Sequence, residues 1–465
     1  LVSDLEPGPS SSLPATLSPL HGGGVLFGAE HSDIGRELFR YDGTSASLVK
    51  DIHVGHSSWG ESPSNLLSIE GSQVVFRARI SGGPRTLWTW SEQTGAIEHP
   101  VDESGQPVHW PDDLTTVYAG GKQATFFTAG PHPGTDRSLY VLDGAKPRRL
   151  ADLSPGTPAN PRSLVAGFGR VFFQGDTAGG GGDLAVSDGT DAGTTSLIDL
   201  GGGIADGSRP LGVVGDKVIL SGTEVLTGEE LYVSDGSVGS ASLLADIRTG
   251  PASSEPELAF ALADLLYFTA DDGVHGRELW VTDGTQAGTQ MVFDLVPGAT
   301  SGEPSRFTLD GGTLYFEGQG TTTWSFWRYD FAAPPVELDP ITQTSATGPR
   351  FVRAGNLLYY ADGGSWGHDD LWATDGTPGG AYLVGGTHDG HPIGSPGWIT
   401  AVGERVYFEG SASGVGTELF VSDGTAAGTT LVADIRPGED SSSPAYLTLA
   451  EGDLYFRAWW FDGGA

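Results

Sequence analysis

Arg277-Glu278-Leu279-Trp280-Val281-Thr282-Asp283-Gly284-Thr285 is the stretch from which the rest of the chain can be read. Glu-Leu-aromatic-x-x-Asp-Gly-Thr returns, in clear or worn form, from one end of the sequence to the other. Clear copies carry Asp42, Asp143, Asp188, Asp235, Asp283, Asp375 and Asp423. Worn copies stand at Leu87-Trp88-Thr89-Trp90 and Phe326-Trp327-Arg328-Tyr329-Asp330, which makes nine copies spaced 45 to 52 residues apart. A fixed period of this size is the signature of a repeat architecture.

Around Asp283 the period divides into four strands. Leu258 to Leu262 and Leu265 to Phe268 form the first two. The loop Asp271-Asp272-Gly273-Val274-His275-Gly276 leads into a third, Glu278 to Thr282, and Asp283-Gly284-Thr285 turns the chain toward a fourth, Gln290 to Leu295. The second strand repeats an apolar block, as in Val171-Phe172-Phe173, Val218-Ile219-Leu220, Leu314-Tyr315-Phe316 and Val406-Tyr407-Phe408. Unbroken apolar runs suit strands buried on both faces. A lone four-stranded sheet cannot bury both faces, so successive sheets must stack.

The fold expected is therefore all-β, a single large β-propeller over residues 1–465 with nine or ten four-stranded antiparallel blades. Leu1-Val2-Ser3-Asp4-Leu5-Glu6-Pro7-Gly8 repeats the end of a period, as in Leu431 to Gly438, whereas Ala445 to Phe461 repeats the start of one. Residues 1–5 and 445–465 are expected to share the closing blade, which has no obvious third strand. An open arc, two smaller propellers and a fragment of a longer array are the competing architectures.

Composition narrows the function classes. The net charge of −35 opposes binding to phosphate backbones and anionic lipid surfaces. Nucleic acid is thus not an expected partner, and no run of 18 apolar residues suggests membrane insertion. Cysteine is absent, excluding disulfides, thiolate metal sites and cysteine nucleophiles. The chain starts without Met inside an expected strand, so a removed leader and an extracellular, surface or periplasmic location are expected.

Arg277 to Thr285 and Thr417-Glu418-Leu419-Phe420-Val421-Ser422-Asp423-Gly424-Thr425 resemble the ELWxxDGT-repeat proteins of bacteria. The resemblance covers essentially the whole chain and implies an exported repeat protein. It brings no established activity, substrate or catalytic residue.

The Asp of each Asp-Gly-Thr is read as capping its own turn, with glycine supplying positive φ. Asp4, Asp51, Asp152, Asp199, Asp246, Asp294 and Asp434, which close fourth strands, are read as loop caps. The eighth repeat has Gly386 there. Acids around the second-to-third loops, Asp271, Asp272 and Glu278 with Glu30, Asp33 and Glu37, form a hard-oxygen set for which calcium is the candidate cofactor. Solvated turn acids are the competing account.

Histidine and tryptophan gather in second-to-third loops and blade connections. If the ring closes, His53, His56, Trp59, His109 and Trp110 come to the same side as Trp366, His368, Asp369, His388, His391 and Trp398. Aromatic platforms beside polar groups suit sugar stacking, and the His pairs suit a transition metal. The function expected is a non-enzymatic binding or adhesion module for a glycan or protein partner. A propeller glycosidase or lyase acting at the channel, and a scaffold subunit, are the alternatives.

Overall fold

A computed structural model describes residues 5, 12–20, 23–52, 64–69, 73–79, 83–91, 93–95, 97–119, 122–131, 136–144, 146–154, 156, 158–177, 182–197, 205–341, 351–363 and 369–459. These residues contain strands and turns but no helix. They form nine four-stranded antiparallel sheets, covering 15–50, 64–98, 112–149, 162–196, 205–245, 257–293, 305–340, 352–383 and 394–433, here the first to the ninth. Within each sheet the strands lie side by side in chain order, so every connection inside a sheet is a hairpin. This is the four-stranded antiparallel blade of a β-propeller. Two smaller sheets complete the set, Thr387–His388 with His391–Pro392, and a C-terminal pair, Ala445–Ala450 with Asp453–Arg457.

The chain divides into two compact units. In the unit of residues 84–89 and 98–305, the third to sixth sheets stack through the second-strand blocks. Val171 and Phe173 join a cluster with Phe126 and Val141 of the third sheet, whereas Phe172 between them joins Val218, Leu220 and Tyr232 of the fifth. One strand further, Ile219 turns the other way, toward Leu266 and Phe268 of the sixth sheet. Alternate side chains of one strand thus face the two neighbours, which is why the strands read as unbroken apolar runs. Each such side chain is fully buried, a contribution of roughly 1.5–3 kcal/mol.

In the other unit the stacking runs from the seventh sheet through the eighth and ninth to the C-terminal pair. Phe326, Phe351 and Tyr360 interlock between the seventh and eighth. Trp398 of the ninth lies against Tyr446 of the C-terminal pair, with ring centroids 4.8 Å apart. That pair in turn packs on the first sheet, where Ala450 and Tyr455 meet Val25, Phe27, Phe39 and Tyr41. Of the strand expected at residues 1–5, only Leu5 is described, and it packs on the same cluster.

In the sixth repeat the strands are Glu257–Leu262, Leu265–Asp271, Arg277–Thr282 and Gln290–Phe293. The fourth is shorter than expected because Asp294 and Leu295 leave the sheet, and the Leu295 N–H donates to the Glu278 carboxylate instead. First strands carry a feature absent from the sequence reading, a bulge with a non-glycine residue at positive φ. Leu258 has φ +48° where the register slips between Glu257 and Phe260, and Tyr446 has φ +58° at the matching slip in the C-terminal pair.

Candidate functional site

The Asp-Gly-Thr turn is assembled from its own atoms. In the sixth repeat Asp283 Oδ1 accepts the Thr285 N–H at 2.8 Å and the Thr285 hydroxyl at 2.6 Å. Behind it the Thr282 hydroxyl accepts the Gly284 N–H and pairs with the Thr289 hydroxyl at 2.8 Å. The same bonds recur at Asp188 and Asp423. At all three, the threonine hydroxyl, then the backbone N–H, holds the Asp carboxyl below its usual range. Gly284 has φ +78°, which an L side chain resists. Its carbonyl accepts a bond from Lys217 of the preceding repeat at 2.9 Å. Arg170 reaches Gly236, Arg328 reaches Gly376 and the Tyr382 hydroxyl reaches Gly424 in the same way.

A second device centres on the Glu of Glu-Leu-aromatic. Glu37, Glu230, Glu278 and Glu418 have no exposed surface. Glu418 accepts N–H bonds from Ile435, Arg436 and Ser442, with the Ser442 hydroxyl as a further donor. Glu230 does the same with Ile247, Arg248 and Ser254, and Glu278 with Leu295 and Gly302. Glu230, Glu278 and Glu418 therefore each clamp the loop that leads to the next sheet. A buried acceptor surrounded by otherwise orphaned backbone donors explains why an acid stands at this position. The Glu278 carboxyl is pushed up to about 8, chiefly by burial and further by Asp294 and Glu303, against the lowering effect of the Leu295 and Gly302 N–H donors. Glu230 is raised for the same leading reason.

The six acids of the expected calcium set are thus placed apart in role. Glu278 and Glu37 face inward, and Ile52 N–H donates to Glu37. Asp271 pairs with Arg248 at 2.7 Å, and Glu30 lies 3.9 Å from Arg36. Asp272 accepts from the Val274 and His275 N–H groups and from the His275 ring. Burial opposes its charged form, yet those donors hold its carboxyl below the usual range, and Asp272 raises His275. The Asp33 N–H donates to His31 Nδ1. Among the described residues, no group of three or more His, Asp or Glu side chains is placed to hold a metal ion.

Of the loop His and Trp set, His53, His56, Trp59, Trp366 and His368 lie outside the described residues. In the unit of residues 98–305, His109 bridges to Thr86, and the Arg85 guanidinium sits 6.0 Å from the Trp110 ring. In the other unit His388 and His391 pair across a two-residue-per-strand hairpin, and Asp369 begins the third strand of the eighth sheet. Trp398 stands about half exposed against Tyr446, whose other contact is the Arg457 guanidinium at 5.1 Å. The nearby Glu409 carboxyl is raised by burial and lowered by Arg457. Glu409 and the Tyr446–Arg457 pair were missed in sequence because the three are brought together across neighbouring sheets.

No family model and no curated protein matches the chain. Among solved structures it is similar to puromycin hydrolase at 16% identity, with a TM-score of 0.39, covering 77% of this chain and 60% of that one. It is similar to a prolyl endopeptidase at 11% identity and TM-score 0.40, over 87% of this chain and 55% of that one. The propeller domain of the Trilobed protease from Pyrococcus furiosus matches at 12% identity and TM-score 0.35, over 70% of this chain and 97% of that one. The chain thus spans little more than half the length of the first two. The expectation of a non-enzymatic binding or adhesion module is corrected here, since the first two of these structures are a hydrolase and an endopeptidase.

Proposed function

We propose that this chain is an exported ELWxxDGT-type propeller that serves as the rigid frame of a larger enzyme or assembly. Its repeats hold loops in place and do not themselves supply reacting groups. The observation that carries this reading is the use made of the repeated acids. Each described clamp Glu accepts bonds from the loop that follows its sheet, and the Asp-Gly-Thr acids close their own turns. A clamp acid with no exposed surface, already engaged by backbone donors inside the fold, cannot reach a substrate and so is no general base or nucleophile.

The frame we propose is one ring of nine or ten blades. The packing of the C-terminal pair against both the ninth and first sheets supports it, because that is the contact a closing blade makes. Leu5, the one described residue of 1–5, packs on the cluster that this pair shares with the first sheet.

The test is a paired measurement on Glu278→Gln and Asp283→Ala proteins. Both are expected to lower Tm, while the unaltered chain leaves a panel of aminoacyl, peptidyl and glycosyl fluorogenic substrates unturned. Turnover by the unaltered chain that Glu278→Gln abolishes without moving Tm would overturn the reading.

A further inference from the structure

In all nine four-stranded sheets the second strand is bonded on one side to the first strand and on the other to the third. The C-terminal pair departs from this. Its second strand, Asp453–Arg457, pairs only with Ala445–Ala450 among the described residues. Exposure changes with it: Leu314-Tyr315-Phe316 and Leu358-Tyr359-Tyr360 are buried, whereas Leu454-Tyr455-Phe456 stay half-buried. Among the described residues, the other edge of this strand therefore has no ladder partner, and it lies beside an apolar block, the arrangement that templates strand addition.

The complete sheets indicate what would cover it. The third apolar residue of a second strand stands opposite the aromatic of Glu-Leu-aromatic. Phe27 faces Phe39, Phe268 faces Trp280, Phe316 faces Trp327, Tyr360 faces Trp372 and Phe408 faces Phe420. Four of these pairs stack with centroids 6.0 to 6.5 Å apart. Phe456 holds this position in the C-terminal pair. In the same register the acid opposes Gly410 in the ninth sheet and Ala270 in the sixth. Ala458 takes that place here.

The receiving end for such an acid is also present. Leu1-Val2-Ser3-Asp4-Leu5 matches Leu431-Val432-Ala433-Asp434-Ile435, so Leu5 corresponds to Ile435, whose N–H binds Glu418. Ser12 accepts the Glu30 N–H as Ser442 accepts that of Trp459, so Ser12 corresponds to Ser442, the second donor to Glu418. Leu5 already packs on the cluster that holds Ala450 and Tyr455.

We propose that the edge of Asp453–Arg457 takes up, by β-augmentation, an extended segment of a partner polypeptide that carries the repeat's own third-strand pattern, Glu-Leu-aromatic-x-x-Asp-Gly-Thr. The main chain supplies the ladder, the aromatic stacks on Phe456, and the acid meets the Leu5 and Ser12 N–H groups. An arbitrary apolar strand satisfies the first of these and not the third, which makes the edge selective.

The probe is a fluorescent peptide of residues 416–425, added to the purified chain and followed by anisotropy, with hydrogen exchange to locate it. Saturable binding is expected, with slowed exchange confined to 453–457 and the neighbourhood of Leu5 and Ser12. Peptides bearing Glu418→Ala or Phe420→Ala should bind at least about tenfold more weakly, and the reversed sequence should not bind. Since the changes are in the peptide, folding of the protein is not in question. No binding, equal binding of the reversed peptide, or protection elsewhere overturns the proposal. So does self-association that protects 453–457 without peptide, which would make a second copy the occupant.

Discussion

The ninth and eighth repeats share a sheet topology and differ in the connection that leaves the sheet. After the ninth sheet the chain runs through a Pro-Gly-Ser loop clamped by Glu418. In the eighth, Asp370 occupies the equivalent register position, opposite Asp362, and lacks one methylene of reach. No Pro-Gly-Ser loop comes after it. The chain forms the small hairpin of His388 and His391, and the Ile393 N–H donates to the Gly386 carbonyl. Gly386 has φ +119°, and a Cβ there would lie 2.7 Å from Thr429 Cγ2, which explains why the usual Asp is missing. Burial, then Asp369, raises the Asp370 carboxyl. In these two repeats the connection differs together with the length of one acid, while the sheet itself is unchanged.

The sharpest way to break this comparison is Glu418→Ala. It leaves the N–H groups of Ile435, Arg436 and Ser442 without their acceptor, at about 1–3 kcal/mol for each donor left buried. A loss of about 3 kcal/mol in denaturant unfolding is expected, with faster hydrogen exchange at 435–442. Asp370→Ala should lose less than half of that. Equal losses would show that the acid's reach does not matter.

The clamp should also titrate. Glu278 keeps its proton to about 8 in the folded chain, against an ordinary value of 4.5. Between those pH values the folded state binds more protons than the unfolded one, so stability is fully present below 4.5 and declines as pH rises toward 8. Tm measured across this window should fall, and Glu278→Gln should flatten the fall.

Smaller effects are expected where a bond lies near water. Asp188→Ala removes the acceptor of the Thr190 N–H and hydroxyl and should lower stability by about 1 kcal/mol. The carboxyl is held below its usual range, so the wild-type turn should weaken only as pH falls below about 4, and the variant should lose that dependence. Least of all, Lys217→Ala removes one inter-repeat bond to the Gly284 carbonyl, about 0.5–1 kcal/mol in the same unfolding measurement.

Much of this was legible in advance for local reasons. Asp283, Gly284 and Thr285 are neighbours in the chain, so their turn could be read from their order. Val218-Ile219-Leu220 could be read as buried on both faces because a strand alternates sides. Glu278 was misplaced among surface acids since its partner Gly302 is 24 residues away, and nothing in the intervening sequence marks a bond between them. The stack of Trp398, Tyr446 and Arg457 was unreadable for the same reason.

By itself, then, the sequence determined the period, the turns and the two-faced strands, because each depends on side chains a few positions apart. Tertiary structure alone decided that the recurring Glu is a loop clamp and that Asp453–Arg457 lacks, among the described residues, the neighbour its sister strands have. Both depend on which backbone N–H and C=O groups meet across a sheet or a connection, and those groups are the same at nearly every residue, so residue identity cannot announce them.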